Sequence, residues 1–190
     1  MSLGVFSVAG TTTRLMTFAE FERMPDPPDG FRVELRHGEP ITVAPPKFQH
    51  SRIQWRIRRM LESAAGDAGI VDKEIGFRVC EHNYRIVDIA FVSKARWDSA
   101  QDYLDGAPEI VVEVLSPSNS AAEMIERERL CLENGCLEFW LVDPEQQLVR
   151  VSTPDGRAAT YGAGREIPLP LLNGTISVDA IFATAGKAEK

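Results

Sequence analysis

The sequence has few cysteines and lacks a long apolar run. Its cysteines are odd in number and form no C-x-x-C pair: Cys80, Cys131 and Cys136. They therefore predict neither a disulfide framework nor a zinc site. No stretch approaches the roughly 20 continuous apolar residues that a membrane helix needs, and the N-terminus lacks the basic start and apolar run of a signal peptide. We expect a cytoplasmic protein with no membrane span.

The chain also lacks an excess of positive charge. It has 21 Lys and Arg against 28 Asp and Glu, a net charge of -7, which argues against indiscriminate binding to nucleic acid because phosphate contacts need a basic surface. Residues 1–60 nevertheless carry nine basic against six acidic side chains, or +3, which leaves -10 for the rest. The densest basic run falls in one predicted helix: Lys47, Arg52, Arg56, Arg58 and Arg59. A solvated helix face and a phosphate-binding surface both account for it.

Length and composition are typical of one folded domain. The 190 residues are 44% hydrophobic and 26% charged, close to the average soluble globular protein. The first fifteen residues are small and irregular, and we interpret them as a leader, a tag remnant or an upstream start before Met16. We predict a leader over residues 1–15 and a single domain over residues 16–185.

Apolar periodicity predicts the strands. Alternating apolar positions predict hairpins over residues 31–43 and 70–92. Two almost wholly apolar runs, at residues 109–115 and 137–143, are typical of strands in the middle of a sheet covered on both faces. Short strands beyond Pro144 predict an extension at the edge of that sheet.

Capping residues and three-to-four spacing predict the helices. Thr17 and Glu20 form a capping box for a short first helix. A long helix follows Pro45 and Pro46, and a second begins after residues 116–119 and ends at about Asn134. Residues 93–108 are polar and are expected to form a loop. Mixed strands with two main helices indicate an α/β fold.

Two acidic side chains interrupt apolar strands. Strand alternation places Asp88 on one face with Ile86, Ala90 and Val92. Glu113 likewise shares a face with Val111 and Leu115. Both carboxylates would therefore project from apolar surfaces, where a charge requires a cation, a proton or a network of donors.

Spacing alone leaves several explanations of this pair open. A divalent ion could bind between Asp88 and Glu113, because carboxylates, water and substrate phosphate are ligands that suit Mg²⁺. Alternatively each acid pairs with an arginine, Arg78 or Arg85 being available, or lies at a strand end in water.

Four further polar residues give weaker signals. A single glutamate in a hairpin, such as Glu34, is usually solvent-facing, and a histidine at a helix start, such as His50, is usually a hydrogen-bonding or capping residue. Glu123 and Arg127 are four residues apart on the second helix, opposite Ile125 in a helical projection. A surface ion pair accounts for that spacing.

Four sequence blocks together resemble the Uma-two family of restriction-endonuclease-like proteins, within the PD-(D/E)XK nuclease superfamily. They are VELRHGE, VDIAFV, PEIVVEVLSPSNS and NGCLEFWLVDP, and the resemblance extends over residues 16–182. It implies a restriction endonuclease-like α/β fold, with a mixed central sheet flanked by helices and additional C-terminal strands.

The resemblance also implies roles for single residues. Asp88 corresponds to the aspartate of the family's P-D motif, with Val87 in place of the usual proline, and Glu113 to the glutamate of VEVLSPS. These two would bind Mg²⁺ or Mn²⁺. Glu34 corresponds to the acidic residue of the first hairpin, and His50 to the histidine that opens the first long helix.

The helix position departs from the family pattern. The family's lysine is displaced onto the second helix, and counting back from Gly135 places it at Arg127. The preceding acidic position is Glu123, and Cys131 stands where tyrosine is usual. Arginine can orient water or offset charge on phosphate, but it does not lose its proton to act as a base.

Two functions are compatible with this pattern. The first is Mg²⁺-dependent hydrolysis of DNA phosphodiester bonds, with Asp88 and Glu113 on the metal, Arg127 at the phosphate and Glu34 orienting metal or water. The second is a catalytically degenerate module that binds nucleic acid or a protein partner. The substrate-contacting residues in the first case are His50, Arg52 and Arg56. Cleavage of both strands favours a homodimer, for which the apolar C-terminal strands are the candidate interface.

Overall fold

The computed structural model describes residues 14–28 and 30–183. The predicted leader therefore lies almost entirely outside the described residues. The helices are α1 (Phe18–Phe21), α2 (Phe48–Ala65), α3 (Lys94–Ser99), α4 (Ala121–Glu133) and α5 (Val178–Phe182). The first strands are β1 (Arg32–Arg36), β2 (Glu39–Val43), β3 (Gly69–Cys80), β4 (Asn83–Ser93), β5 (Leu104–Asp105) and β6 (Ile110–Val114). The remaining strands are β7 (Glu138–Asp143), β8 (Leu148–Ser152), β9 (Ala158–Tyr161), β10 (Glu166–Leu169) and β11 (Gly174–Ser177).

A mixed sheet of nine strands forms the centre of the molecule. Its main order is β2-β1-β4-β6-β7-β8-β9, and β3 pairs with both β4 and β5. Strands β6 and β7 are parallel, while β4 and β8 run antiparallel to them on either side. The parallel pair requires a crossover, which α4 supplies. The expected mixed α/β sheet with added C-terminal strands is confirmed.

Two apolar clusters cover opposite faces of this sheet. On one face, Ile53, Ile57 and Leu61 of α2 pack against Val112 and Trp140. The hairpin of β10 and β11 contributes to the same cluster. On the other face, α4 packs over Val111 and Phe139. The two nearly continuous apolar runs are therefore buried on both sides, as predicted.

The predicted capping residues are confirmed at the start of α1 and at both ends of α4. Thr17 and Glu20 form the expected capping box at α1. The Ser120 hydroxyl accepts a hydrogen bond of 3.1 Å from the Glu123 N–H and caps α4. Gly135 follows the end of α4 with φ of 109°. Glycine suits this position because it adopts the left-handed conformation without the steric cost of a Cβ.

The prediction of a loop over residues 93–108 is wrong. The segment contains α3 and β5, and the Arg96 guanidinium organises it by donating to the carbonyl oxygens of Asp105, Gly106 and Ala107. A helix of six residues that is rich in charge is too short to show apolar periodicity.

The expected alternation along β4 is also wrong around Asp88. Val87, rather than Asp88, packs in the same cluster as Ala90 and Val92, whereas Ile89 belongs to the opposite cluster. On the neighbouring strand β3, Glu74 adopts a left-handed conformation with φ of 58°. It lies between the pairs Lys73↔Ile89 and Ile75↔Val87, directly beside Asp88. The phase of the alternation changes here on both strands, since Val71 of β3 belongs to one cluster and Ile75 packs against the other.

No helix among the described residues is long and apolar enough to cross a membrane.

Candidate functional site

Three strands and one helix bring four charged side chains together at the centre of the sheet: Glu34 and Glu113 contact Arg127 of α4, and Asp88 contacts His50 of α2. Glu34 of β1, Asp88 of β4, Glu113 of β6 and Arg127 of α4 are 1%, 7%, 8% and 5% exposed, respectively. Glu34 is therefore buried, and the expectation of a solvent-facing glutamate is wrong. Burial of four charges is tolerable only where they pair and receive hydrogen bonds.

Arg127 lies at the centre of this group. Its Nη1 donates to Glu113 Oε1 and to the Ile86 carbonyl, both at 3.0 Å. Its Nη2 donates to both oxygens of Glu34, at 3.0 and 2.8 Å. Burial alone would lower the pKa of Arg127, but Glu113 and Glu34 raise it above its ordinary value, so the guanidinium remains protonated.

The expected surface ion pair between Glu123 and Arg127 does not form. The buried side of α4 consists of Met124, Arg127 and Cys131, whereas Ile125 is 67% exposed. The helical projection placed Ile125 opposite Glu123 and Arg127, so a surface ion pair would have left Ile125 on the buried side. The structure instead turns α4 so that Arg127 offsets the charge of two strand carboxylates.

Glu34 is fully occupied by donors. Oε1 accepts a hydrogen bond of 2.9 Å from the Ile86 N–H, and Oε2 accepts one of 2.7 Å from Arg36 Nε. Burial would raise the pKa of Glu34, but Arg127, Arg36 and the Ile86 N–H together lower it below the ordinary value. Glu34 is thus an ionised partner for Arg127.

Asp88 is held through one of its two oxygens. Oδ2 accepts a hydrogen bond of 2.9 Å from the Val114 N–H and lies 3.0 Å from His50 Nε2. No donor from the described part of the chain reaches Oδ1. Since Val114 follows Glu113 in β6, this backbone contact places the two carboxylates beside each other.

Glu113 also retains one oxygen without a donor. Its Oε1 pairs with Arg127, and no hydrogen bond within the described residues reaches Oε2. Burial, together with the nearby charges of Asp88 and Glu34, raises the pKa of Glu113 to about 8 against the opposing effect of Arg127. The charged form of this carboxyl group therefore lacks sufficient compensation in the protein alone.

The donor set fits a divalent ion held by two carboxylates. Mg²⁺ is usually bound by one or two carboxylates, with water and substrate phosphate in its other positions. Asp88 Oδ1 and Glu113 Oε2 are the available oxygens. Over residues 14–28 and 30–183, no group of three or more His, Cys, Asp or Glu side chains is arranged to hold a metal, so Glu34 is not a third ligand in this arrangement.

The arginines expected as alternative partners of the acids pair elsewhere. Arg78 forms a salt bridge of 2.7 Å with Asp105. Arg85 pairs with Glu126 at 2.9 Å. Neither neutralises Asp88 or Glu113.

Sequence reasoning missed two residues that support the site. Arg36 bridges Glu34 to Glu123, to which its Nη1 donates at 2.6 Å. Gln54, fully buried, has its Nε2 3.0 Å from His50 Nε2. The spacing of these residues would have indicated them. Arg36 is two residues from Glu34 on a strand and Gln54 is four from His50 on a helix, so each lies on the same face as its partner.

The two arginines expected to contact substrate lie on α2, the helix that carries His50. The Arg52 guanidinium lies over the Phe48 ring at 4.5 Å from its centroid. Arg56 Nη1 donates to the Ile181 carbonyl at 3.3 Å. Neither arginine pairs with an acid of the site among the residues that the structure describes.

Comparison with known proteins shows a family match and a shared fold. The family model Uma2, described as "Putative restriction endonuclease", matches residues 18–180. A crystal structure described as a "putative nuclease belonging to DUF820" from Anabaena variabilis superposes with a TM-score of 0.77 at 22% identity, over 88% of this chain and 97% of that chain. At this identity the superposition shows that the two share a fold. A search of curated proteins finds no match.

Proposed function

The chain belongs to the Uma2 family of restriction-endonuclease-like proteins, and we propose that it is a Mg²⁺-dependent endonuclease that hydrolyses phosphodiester bonds of DNA. The observation that carries the proposal is the pair Asp88 and Glu113, which are buried, adjacent and each left with one oxygen that receives no hydrogen bond from the described residues. Mn²⁺ is an alternative ion with the same preference for oxygen ligands.

In this proposal, Asp88 and Glu113 hold the ion. When bound, the ion supplies Lewis-acid polarisation of the phosphate and acidifies water. His50 orients Asp88 by donating from Nε2 to Oδ2. Gln54 Nε2 lies beside the same ring nitrogen, which cannot donate to Asp88 and accept from Gln54 at once. Such outer partners fix the direction of metal ligands.

Arg127 is paired with the buried acids Glu34 and Glu113 in the protein without substrate. Each N–H of Nη1 and Nη2 is already directed at Glu113, Glu34 or the Ile86 carbonyl. Contact of Nη1 with a phosphate requires Arg127 to release Glu113 or the Ile86 carbonyl, and its raised pKa excludes the role of general base. We therefore assign it as a positioning residue that can also offset charge on the phosphate after such a release.

Plasmid nicking tests the proposal. The purified chain should convert supercoiled plasmid to relaxed circles in Mg²⁺ or Mn²⁺, and chelation of the ion with EDTA should stop the reaction. Asp88→Ala and Glu113→Ala should abolish nicking, whereas Asp155→Ala, an exposed acid in the turn after β8, should retain it. Unchanged nicking in the first two variants would refute the assignment.

A second function, binding without catalysis, is favoured by Arg127 in the place of the family's lysine. Metal-independent DNA binding that is unaffected by Asp88→Asn, together with absence of nicking, would support it. A divalent-ion affinity that is lost in Asp88→Asn would count against it. Arg127→Lys separates the two further, because gained cleavage would show that Arg127 limits the activity of this chain.

A further inference from the structure

The outer face of α2 presents aromatic and arginine side chains in alternation. Phe48, Arg52, Trp55 and Arg59 are spaced four, three and four residues apart, so they follow one line along roughly 16 Å of helix. We call these four residues the aromatic–arginine stripe. Phe48 is 73% and Trp55 53% exposed.

Each ring of the stripe is paired with a guanidinium group. Arg52 lies 4.5 Å from the Phe48 centroid, and Arg59 lies 5.1 Å from the Trp55 centroid. The guanidinium groups keep the exposed rings in defined positions through cation–π contact. The packing of α2 on the sheet does not need either ring, since its buried side consists of Ile53, Gln54, Ile57, Leu61 and Ala65.

The stripe is positive in a protein that is acidic as a whole. In the part of the chain that the structure describes, no carboxylate lies within salt-bridge distance of Arg52 or Arg59. By contrast, Arg58 on an adjacent side of α2 pairs with Glu62 and Asp72. The net charge of the chain is -7, so this unpaired positive surface marks a place where an anionic partner fits.

The stripe meets the acidic site at the first turn of α2. The stripe lies on the outer side of the helix, and His50, two residues after Phe48, reaches inward to Asp88. The first residue of the stripe is therefore two positions from a side chain that contacts the acidic site.

We propose that the aromatic–arginine stripe binds single-stranded nucleic acid, with Phe48 and Trp55 stacking on unpaired bases and Arg52 and Arg59 contacting phosphates. The proposal rests on the proposed function in that it identifies the substrate form which the same site receives. Stacking on aromatic side chains is available to every base but only when the base is unpaired. A surface with phosphate contacts alone would instead favour duplex DNA, whose charge density is higher.

Binding measured without divalent ions tests the stripe separately from catalysis. A labelled single-stranded oligonucleotide and its duplex are titrated with the full chain in EDTA, and fluorescence anisotropy gives the affinities. The single strand should bind more tightly. Phe48→Ala and Trp55→Ala should each weaken its binding by roughly 5- to 150-fold and leave duplex binding unchanged.

The arginines should respond differently from the rings. Arg52→Ala and Arg59→Ala should each reduce the slope of log affinity against log salt by about 0.7 for the single strand, because each removes one phosphate contact. Trp97→Ala, 42% exposed on α3, and Arg129→Ala, exposed on α4 across the sheet, are matched controls that should bind as wild type.

Two results would contradict the proposal that the stripe binds single-stranded nucleic acid. One is a duplex bound as tightly as the single strand, and the other is wild-type affinity in both ring variants. Failure of nicking with intact, stripe-dependent binding would remove the nuclease proposal and leave the stripe. Nicking by the wild type, together with wild-type binding in the stripe variants, would remove the stripe proposal and leave the nuclease proposal.

Discussion

Arg127 connects two buried carboxylates that would otherwise repel each other. Arg127→Met should lower the free energy of unfolding by about 3–5 kcal/mol, because Glu34 and Glu113 then lack the cation that offsets their burial. Urea denaturation measures the change. Arg129→Met, an exposed position on the same helix, should change it by no more than about 0.5 kcal/mol. Equal effects at the two positions would show that Arg127 does not support the acids.

His50 Nε2 lies 3.0 Å from Asp88 Oδ2, and we expect this contact to orient the carboxylate. His50→Ala should weaken Mn²⁺ binding by roughly 10- to 100-fold, because removal of a partner that orients a metal ligand has effects of this size. His50→Gln, which can still donate to Asp88, should restore part of the affinity. His37→Asn is the matched control, since His37 is an exposed turn residue with φ of 49° that asparagine tolerates. Unchanged affinity in His50→Ala would exclude the orienting role.

Glu138, at the start of β7, gives the molecule a pH dependence away from the acidic site. Burial raises its pKa above the ordinary 4.5, although the Trp140 N–H lowers it in part. A raised folded-state pKa means that the folded chain binds the proton more tightly than the unfolded chain. The stabilising contribution is therefore complete below 4.5 and is lost as pH rises through the folded-state pKa.

Glu138→Gln should remove this dependence. Relative to the variant, wild type should lose free energy of unfolding as pH is raised from about 4.5 towards neutrality. Denaturation of both proteins at matched pH values measures the difference. A wild type that gains stability over the variant across the same interval would contradict the assignment.

Single residues of the site differed in how well the sequence predicted them. Asp88 and Glu113 stand out because a charged side chain within an apolar strand needs a partner. The burial of Glu34 and Arg127 did not follow from spacing, because each lies in an amphipathic element whose polar side usually faces water. Their burial depends on contacts between β1 and α4, which are far apart in the sequence.

At the scale of elements, the pairing of β3 with β4 shapes the site through Glu74. Glu74 holds φ of 58° within a strand, next to Asp88 in register. This conformation costs residues with a Cβ about 1–2 kcal/mol and costs glycine little. The turn in the strand pair is thus maintained against a local backbone preference.

Substitution at Glu74 should reverse the usual preferences of strand residues. Glu74→Val should lower the free energy of unfolding by at least about 1 kcal/mol, while Glu74→Gly should leave it within about 0.5 kcal/mol of wild type. Both variants lose the 3.6 Å contact with Arg32, so that contact does not affect the comparison. At exposed Lys73, the neighbouring control, valine should be better tolerated than glycine. If valine and glycine rank in the same order of stability at positions 73 and 74, the left-handed backbone of Glu74 does not explain the effect of its substitutions.

Long periodic elements were predictable, and short charged ones were not. The sequence predicted α2 and α4 because apolar spacing and capping residues agree over many residues. It did not predict α3, a short helix whose Arg96 donates to three carbonyl groups of the following segment. The face of Asp88 was missed for a similar reason, since no residue type marks Glu74 as left-handed.

At the scale of the whole molecule, the sequence indicated a mixed sheet but not its strand order. The nearly continuous apolar runs of β6 and β7 predicted central strands buried on both faces, and these two strands are the parallel pair. The placement of β1 beside β4 depends on non-local pairing, for which local periodicity carries no information. The homodimer and the cytoplasmic location stay predictions.

The measurement that tests the central claim most directly is calorimetric titration of the folded chain with Mn²⁺. The account predicts one site that is present in wild type and in Asp155→Ala and lost in both Asp88→Asn and Glu113→Gln, all four proteins being equally folded by circular dichroism. The same affinity in wild type and in the Asp88 and Glu113 variants would contradict the claim that these two carboxylates together hold the ion.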